Sequence, residues 1–331
     1  LLFHERELIM AHQLTVRADG FVEMAFVGET PWHGLGQSLD ENAGMDAWRK
    51  AAGMDWTIES TPAIYSPDGQ NIHKFPERFV QYRSDTMAPL SVVSSRYKPV
   101  QPSQVLDFFH DLVEQNGFKL HTAGTLFGGK RLWALAETGK YGEVTKDDGV
   151  GGFLLLSTSC DKSLATTARF TTVRVVCNNT LSMAVKGKEA VSFTHLTHWD
   201  STKMHDRIAE QVESFGAFME MAKHLKKQKC NEEAAKNFMK QILFTPNELA
   251  TLEPANIEKY RPYNRILELF NGEAKGWELD GVKGTKWGLL NAVTEYLDHH
   301  SPARSGDARL NSAWFGNGDS IKNKAVEVLA A

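Results

Sequence analysis

The sequence predicts an α+β fold in which a β-meander is flanked by helices and followed by a helical C-terminal region. Between residues 102 and 184 the apolar spacing changes from a period of 3.6 to a period of 2 and back again. From about Thr202 onward, long helical patterns separated by Gly, Pro and Asn replace the strand-like runs. We therefore predict an α+β core domain over residues 20–200, which would bind DNA, and a helical region over residues 201–331.

Each element rests on its own local pattern. Two β-like stretches, residues 78–83 and 90–95, indicate a hairpin or meander, and Ser103 caps a helix that runs to residue 116. Three antiparallel strands are expected over residues 118–127, 131–138 and 152–159, with a polar connection over residues 139–151. Residues 164–184 are predicted to form a second helix despite their many Thr and Val residues. Further helices are expected over residues 208–225, 231–243, 262–270, 287–297 and 319–329.

Composition indicates a soluble protein of the cytoplasm. The 331 residues are 42% hydrophobic and 24% charged, which is typical of a globular chain with a sizeable core. Because the net charge is −4, any surface that binds a nucleic acid must be a local patch of positive charge. Three scattered cysteines fit a reducing compartment better than a disulfide framework, and no run of about 18 apolar residues predicts a membrane span.

A partial phosphate-binding loop occurs at residues 124–130, GTLFGGK. Position 131 is Arg, so the hydroxyl that would bind magnesium is missing, and the residues that follow alternate like a strand. We interpret Gly128 and Gly129 as a hairpin turn with Lys130 and Arg131 at its tip. No nucleotide cofactor is expected.

A weak metal pattern follows the core. His195 and His198, with Asp200 nearby, supply the ligand types that zinc or iron would take. No HExxH framework, GxSxG elbow or acid/base carboxylate pair accompanies them, so packing of these histidines is the simpler interpretation. We expect a protein that is not an enzyme and holds no metal.

Positive charge is concentrated in the middle of the chain. Residues 160–188 carry five cations against Asp161 alone, a local charge of +4, and these are Lys162, Arg169, Arg174, Lys186 and Lys188. The segment is typical of a phosphate-binding patch, and equally of a solvated helix face.

Aromatic and basic residues also alternate, as in proteins that stack single-stranded bases beside cations. Such clusters are Arg96-Tyr97-Lys98, Phe127 with Lys130, Arg131 and Trp133, and Lys283 with Lys286 and Trp287. Alternation places Trp133 on the same strand face as Arg131, which favours an exposed indole.

Four segments together resemble the phage/plasmid-like protein family of unknown function that is carried on mobile elements. They are residues 28–36 (GETPWHGLG), 93–101 (VSSRYKPVQ), 174–180 (RVVCNNT) and 291–299 (NAVTEYLDH). The first is expected to be a structural turn with Trp32 as a buried anchor. The order of elements over residues 102–184 also resembles the β-β-β-α core of the single-strand annealing proteins of the Red-beta and RecT groups. That resemblance implies DNA held in a basic groove of subunits that form rings or filaments.

The leading hypothesis is a single-stranded DNA-binding and annealing protein that acts in recombination as a homo-oligomer, without cofactor or membrane. The predicted contacts are Arg96, Tyr97, Lys98, Lys130, Arg131, Trp133, Lys162, Arg169, Arg174 and Lys186. Two alternatives remain, a metal-dependent nucleic-acid enzyme using His195 and His198, and a host-interaction or defence-modulating protein.

Overall fold

The chain combines two β-sheets with a helical C-terminal region, which confirms the predicted α+β class. The computed structural model describes residues 17, 19–28, 35–107, 110, 117–176, 179–182, 191–193 and 212–330. None of the helices within these ranges is long and apolar enough to span a membrane.

The larger sheet has eight strands in the order β10-β9-β8-β7-β6-β1-β2, with β11 paired to β9. Its pairs are antiparallel except β1 with β2. Its strands are β1 (Met24–Val27), β2 (Gln37–Leu39), β6 (Lys119–Leu126), β7 (Arg131–Thr145), β8 (Asp148–Ser159), β9 (Thr166–Arg174), β10 (Asn179–Ser182) and β11 (Val191–Phe193). The three predicted strands of the meander are β6, β7 and β8. The connection expected over residues 139–151 instead extends β7 and β8 into one long hairpin that turns at Lys146 and Asp147.

The second helix predicted over residues 164–184 is wrong. Within that range the structure has two antiparallel strands, β9 and β10, which pair Arg174 with Asn179 and Thr171 with Ser182. Thr166, Ala168 and Phe170 are buried, whereas the intervening residues are half-buried. This period of 2, together with the β-branched Thr and Val side chains, decides for a strand.

Both faces of the larger sheet are covered, so its central strands are buried almost throughout. On β7, Leu132, Ala134 and Ala136 belong to the main hydrophobic core, which also contains side chains of the C-terminal helices. Trp133 and Leu135 point to the other face, where a second cluster includes Ala313 and Trp314. The sheet is therefore a middle layer.

The described helices lie mostly in the C-terminal region. They are α1 (Met45–Ala51), α2 (Ser214–Lys227), α3 (Glu232–Leu243), α4 (Pro246–Thr251), α5 (Pro254–Glu258), α6 (Arg261–Glu268), α7 (Lys286–Glu295), α8 (Gly306–Phe315) and α9 (Asn317–Ala330). Side-chain oxygens of Asn231, Thr245, Thr285 and Ser305 cap four of them. The helices predicted near α2, α3, α6, α7 and α9 are confirmed, whereas α1, α4, α5 and α8 were not predicted. Of the helix expected from Ser103, residues 102–107 and 110 are helical, and the rest lies outside the described residues.

A buried ion pair joins α9 to the larger sheet. The Lys322 ammonium, 1% exposed, donates to Asp298 Oδ1 at 2.7 Å and to the carbonyl of Thr180 at 2.8 Å. Asp298 Oδ2 in turn accepts hydrogen bonds from the Thr180 backbone N–H and hydroxyl, at 2.7 and 3.0 Å. Residues from three distant segments of the chain thus share one polar network.

The smaller sheet consists of β3 (Ile58–Tyr65), β4 (His73–Arg83) and β5 (Pro89–Ser94), and its Ile58 and Leu90 belong to the main hydrophobic core. Strand β5 pairs with β4 only from Arg78 onward. The earlier part of β4, toward His73, has β3 as its one described partner. Most side chains of this two-stranded β-ribbon, residues 59–78, are exposed. Four large apolar or aromatic side chains of the β-ribbon are 50–71% exposed, namely Ile64, Tyr65, Ile72 and Phe75.

Candidate nucleic-acid interface

The predicted Gly-Gly hairpin turn joins β6 to β7 and is confirmed. Phe127, Gly128 and Gly129 have φ values of 54°, 66° and 90°, which is left-handed backbone that glycine adopts readily. Gly129 also packs closely, because a Cβ at this position would lie 2.6 Å from Trp56 Cζ2. The partial phosphate-loop pattern is therefore a tight strand connection, with Arg131 opening β7.

A buried arginine holds this hairpin in place. Arg83, 3% exposed, donates to the carbonyl of Gly128 at 3.2 Å and lies 4.4 Å above the Trp56 ring. Its guanidinium is paired with Glu23 at 2.9 Å and with Asp85 at 2.8 Å. Burial acts to lower the pKa of Arg83, but the hydrogen bonds and charges of Asp85 and Glu23 outweigh it and raise that pKa. The charged side chain of Arg83 thus holds the turn through its hydrogen bond to the carbonyl of Gly128.

Two segments that are distant in sequence, residues 96–98 and 161–163, lie against the hairpin turn of residues 127–131. We call these three segments together the loop-end surface. The Lys162 ammonium lies 5.7 Å from the centroid of the Tyr97 ring. The Arg131 guanidinium lies 5.7 Å from the centroid of the Phe127 ring and donates to Ser163 Oγ at 3.0 Å. Cation–aromatic pairs of this kind present a π-face next to a positive charge.

The loop-end surface is tied to the sheet by backbone contacts. The Tyr97 hydroxyl donates to the carbonyl of Ser159 at 3.2 Å, and Lys162 donates to the carbonyl of Val92 at 3.2 Å. The N–H of Cys160 donates to the carbonyl of Lys130 at 2.8 Å. These bonds connect all three segments of the loop-end surface to neighbouring strands.

Positively charged side chains outnumber carboxylates at the loop-end surface, so its electrostatics favour an anionic ligand. Arg96, Lys98, Lys130, Arg131 and Lys162 are exposed or half-buried, against the single carboxylate of Asp161. Burial lowers the pKa of Arg131, while the charge of Asp161 acts to raise it, so the group stays protonated at neutral pH. Burial raises the pKa of Tyr97, and Cys160 and Asp161 add to that effect, so its phenol stays neutral.

Two predicted phosphate contacts, Arg174 and Arg169, lie elsewhere and are engaged within the protein. Arg174, 3% exposed, pairs with Asp148 at 2.5 Å, and Trp287 donates to the same carboxylate at 2.8 Å. Arg169 is paired with Asp319 at 2.8 Å. The positive segment from residue 160 onward is therefore divided. Lys162 lies in the bend before β9, at the loop-end surface, whereas Arg169 and Arg174 lie on β9 and pair with Asp319 and Asp148.

The exposed position predicted for Trp133 is wrong. Trp133 does share a face of β7 with Arg131, but α8 covers that face, and the indole is 1% exposed and in edge contact with Trp314 at 4.8 Å. Similarly, Trp287 is 2% exposed, and Lys283 lies over the ring of Trp277 instead. Ser163, which connects Arg131 to Asp161, was not among the predicted contacts, and no sequence pattern distinguishes it.

Several predicted residues lie outside the described residues. These are Lys186, His195, His198, Asp200 and positions 29–34 of the turn motif with Trp32. Among the residues that the structure does describe, no group of three or more His, Cys, Asp or Glu side chains could hold a metal ion.

Comparison with known proteins identifies the family and no activity. A family model described as "Domain of unknown function (DUF932)" matches residues 89–314, which is more than half of the chain, and the chain belongs to this family. No curated protein and no solved structure matches it. The match agrees with the predicted membership of an uncharacterised family, whereas the resemblance to annealing proteins stays a prediction.

Proposed function

We propose that this member of the DUF932 family binds single-stranded DNA through the loop-end surface and, as a homo-oligomer, anneals complementary strands. Annealing requires that phosphates be neutralised while bases remain accessible, and it needs no bond-making chemistry in the protein. A surface of cations and aromatic rings is suited to this task. The family assignment does not specify an activity, so the proposal rests on the surface itself.

The observation that carries the proposal is the convergence of Tyr97, Lys162 and Arg131. These residues are distant in sequence, and the sequence pattern predicts each of them as a contact. Their two cation–aromatic pairs, Lys162 with Tyr97 and Arg131 with Phe127, lie on either side of Ser163 and Asp161. Cations beside aromatic rings suit a single strand, which presents both phosphates and bases.

The anchoring of the surface favours binding without large rearrangement. Arg83 donates to the carbonyl of Gly128 in the hairpin, Cys160 N–H donates to the carbonyl of Lys130, and the Tyr97 hydroxyl donates to the carbonyl of Ser159. Less ordering of side chains and loops on binding means less conformational entropy lost. Arg174 and Trp133, which are buried, are not part of the proposed surface.

The β-ribbon supports the oligomeric part of the proposal. An isolated two-stranded ribbon is marginally stable in water, and this one carries Tyr65 and Phe75 in edge contact at 6.2 Å with about half of each side chain exposed. Exposed apolar side chains in such a cluster are typical of an association surface. We therefore assign the β-ribbon to contacts between subunits.

The proposal is tested by titrating fluorescent single-stranded and double-stranded oligonucleotides at several salt concentrations. If all five cations of the loop-end surface contact phosphates, log K should fall with log[salt] with a slope of about −3.5, which is about 0.7 for each contact. The variant K130E/R131E should flatten that slope by about 1.4. Equal and negligible binding to both kinds of DNA would contradict the proposal.

The control is K259E/R261E, since Lys259 and Arg261 are exposed cations in the C-terminal region, away from the loop-end surface. It makes the same change in net charge and should keep the parent slope. Size-exclusion chromatography of both variants separates loss of a DNA contact from loss of the oligomer. An unchanged slope for K130E/R131E in an intact oligomer would remove the hairpin from the interface.

A further inference from the structure

Five lysines from two distant segments meet on the helical C-terminal region. Lys226, Lys227 and Lys229 lie at the end of α2 and directly after it, and Lys283 and Lys286 lie around the start of α7. We call these five residues the lysine patch. The sequence indicates Lys283 and Lys286 as cations close to aromatic residues, and the loop-end surface does not include them.

Backbone contacts hold the two segments of the lysine patch side by side. Lys229 is paired with Thr285 in an isolated antiparallel bridge. The N–H of Lys286 donates to the carbonyl of Gln228 at 2.9 Å. Residues that are more than 50 positions apart in the chain are therefore direct neighbours in the folded protein.

Two side chains of the lysine patch also have fixed positions. The Lys226 stem crosses Gly281 so closely that a Cβ at Gly281 would overlap Lys226 Cε. The Lys283 ammonium lies 4.6 Å from the centroid of the Trp277 ring. Lys229 and Lys283 nevertheless remain exposed, so a partner can reach them.

The charges of the lysine patch are not neutralised within the described part of the chain. None of the five lysines forms an ion pair with a residue that the structure describes, whereas Lys223 on the same helix pairs with Glu220 at 3.8 Å. Residues 226–229 and 281–286 contain no carboxylate. The exposed carboxylates that flank them in sequence are Glu233, Glu278, Asp280 and Glu232, the last of which is paired with Lys236 at 2.5 Å.

Helix stability accounts for only part of this clustering. Lysines in the last turn of α2 interact favourably with the helix dipole, which explains Lys226 and Lys227. Lys229 lies beyond the helix. Lys286 is the first residue of α7, where a positive charge opposes the dipole and the first turn has no acidic residue to offset it. An anionic partner accounts for the lysines that helix stability does not explain.

The composition of the lysine patch favours a nucleic acid over an acidic protein. Lysine is depleted in interfaces between proteins, whose centres are apolar and rich in aromatic rings. Val282 is the one apolar residue within the two segments, and it is buried, so no apolar centre is available for a protein partner. Interfaces with DNA are more polar and much more positively charged.

The aromatic ring at the lysine patch favours a double helix over a single strand. Lys283 lies over the ring of the half-buried Trp277, whose indole N–H donates to the carbonyl of Phe270 at 3.1 Å. Single-strand binding depends on bases that stack on accessible aromatic rings. A duplex keeps its bases stacked internally and presents one phosphate charge for about every 1.7 Å of its axis, which suits a patch of ammonium groups.

We propose that the lysine patch binds the phosphate backbone of double-helical DNA without reading its sequence. The inference goes beyond single-strand binding at the loop-end surface and does not depend on it, because it assigns another ligand to other residues. In a protein that anneals single strands, the lysine patch would hold the product duplex.

The test is a titration of the full chain with a fluorescent DNA duplex at several salt concentrations. If all five lysines contact phosphates, log K should fall with log[salt] with a slope of about −4.5, which is about 0.9 for each contact. The variant K229Q/K283Q removes one exposed lysine from each segment and should flatten that slope by about 1.8. A duplex of different sequence should give the same slope.

The matched control is K50Q/R304Q, because Lys50 on α1 and Arg304 before α8 are also exposed and their replacement makes the same change in net charge. It should keep the parent slope for the duplex. The variant K130E/R131E should keep that slope too, so failure at the lysine patch and failure at the loop-end surface are distinguishable.

Three results would overturn the inference. The first is that the parent shows no salt-dependent binding of the duplex, and the second is that K229Q/K283Q keeps the parent slope. The third is that poly-glutamate displaces the duplex at an equal concentration of charge, because the lysine patch would then be a site for an acidic polypeptide.

Discussion

Replacing Lys322 with Met should destabilise the protein strongly, although the residue lies on the last described helix. Lys322→Met removes the ammonium and keeps an unbranched apolar side chain of similar length. Asp298 would then be buried with two hydrogen bonds from Thr180 and no opposite charge. Breaking a buried ion pair by removing one partner costs about 3–5 kcal/mol, and we expect a loss in this range.

The assay is urea-induced unfolding followed by tryptophan fluorescence. Trp314 is a local reporter, because its indole N–H donates to Thr180 Oγ1 at 3.2 Å within the same network. The midpoint of unfolding should fall for Lys322→Met, whereas the m-value should stay constant because the folded state buries the same surface. The double variant Lys322→Met/Asp298→Asn should recover part of the loss, since no uncompensated charge remains.

Lys324→Met is the matched control on the same helix, because Lys324 is half-buried and has no ion pair with any residue that the structure describes. Substitutions at such positions usually change the free energy of unfolding by less than about 0.5 kcal/mol. The reasoning is refuted if Lys322→Met and Lys324→Met unfold at the same urea concentration. It is also refuted if the double variant is less stable than Lys322→Met alone.

Three further results are expected. Gly129→Ala should lower the free energy of unfolding in urea by about 1–3 kcal/mol more than Gly128→Ala does. Both positions need left-handed backbone, but only a Cβ at Gly129 would lie against Trp56. Equal losses for the two variants would show that this contact is unimportant. Burial raises the pKa of the Cys160 thiol from 9.0 to about 12. The neutral buried thiol therefore contributes fully to the free energy of unfolding below pH 9, and this contribution is lost as the pH rises toward 12. The parent should therefore lose more stability than Cys160→Ala between pH 8.5 and 10.5, and parallel curves would contradict this. Ile64→Ser/Ile72→Ser on the β-ribbon should shift the protein to a smaller species in sedimentation velocity at unchanged helix content, while an unchanged species would exclude the β-ribbon from subunit contacts.

The elements that the sequence predicts well are those whose signals are local. The turn at Gly128 and Gly129, the strands on either side and most C-terminal helices follow from glycine geometry, alternation and capping residues. The errors arise where contacts with distant parts of the chain determine the secondary structure. Residues 166–174 have apolar positions compatible with either period, and pairing with β8 and β10 selects the strand.

The same limit applies to the candidate sites. The exposure of Trp133 depends on α8, which is about 180 residues away and was not predicted, so alternation along β7 alone could not place the indole correctly. The pairing of Arg174 with Asp148 likewise needs the register between β8 and β9. By contrast, Arg96, Tyr97, Lys98, Lys130, Arg131 and Lys162 flank turns, where charged side chains remain accessible whatever the topology.

The β-ribbon has a practical consequence for labelling the protein. Its tip is closed by Asp68, whose carboxylate accepts hydrogen bonds from the backbone N–H groups of Gln70 and Asn71, at 2.9 and 2.8 Å. The bonds from Asn71 and Gln70 lower the pKa of Asp68 to about 2, so its carboxylate is ionised and can accept them at neutral pH. The exposed residues around the tip can accept a fluorophore or a short peptide tag without entering either hydrophobic core. Because the β-ribbon is also proposed to contact a second subunit, a small dye there should sense that contact directly, whereas a bulky tag should block it and leave the loop-end surface unmodified.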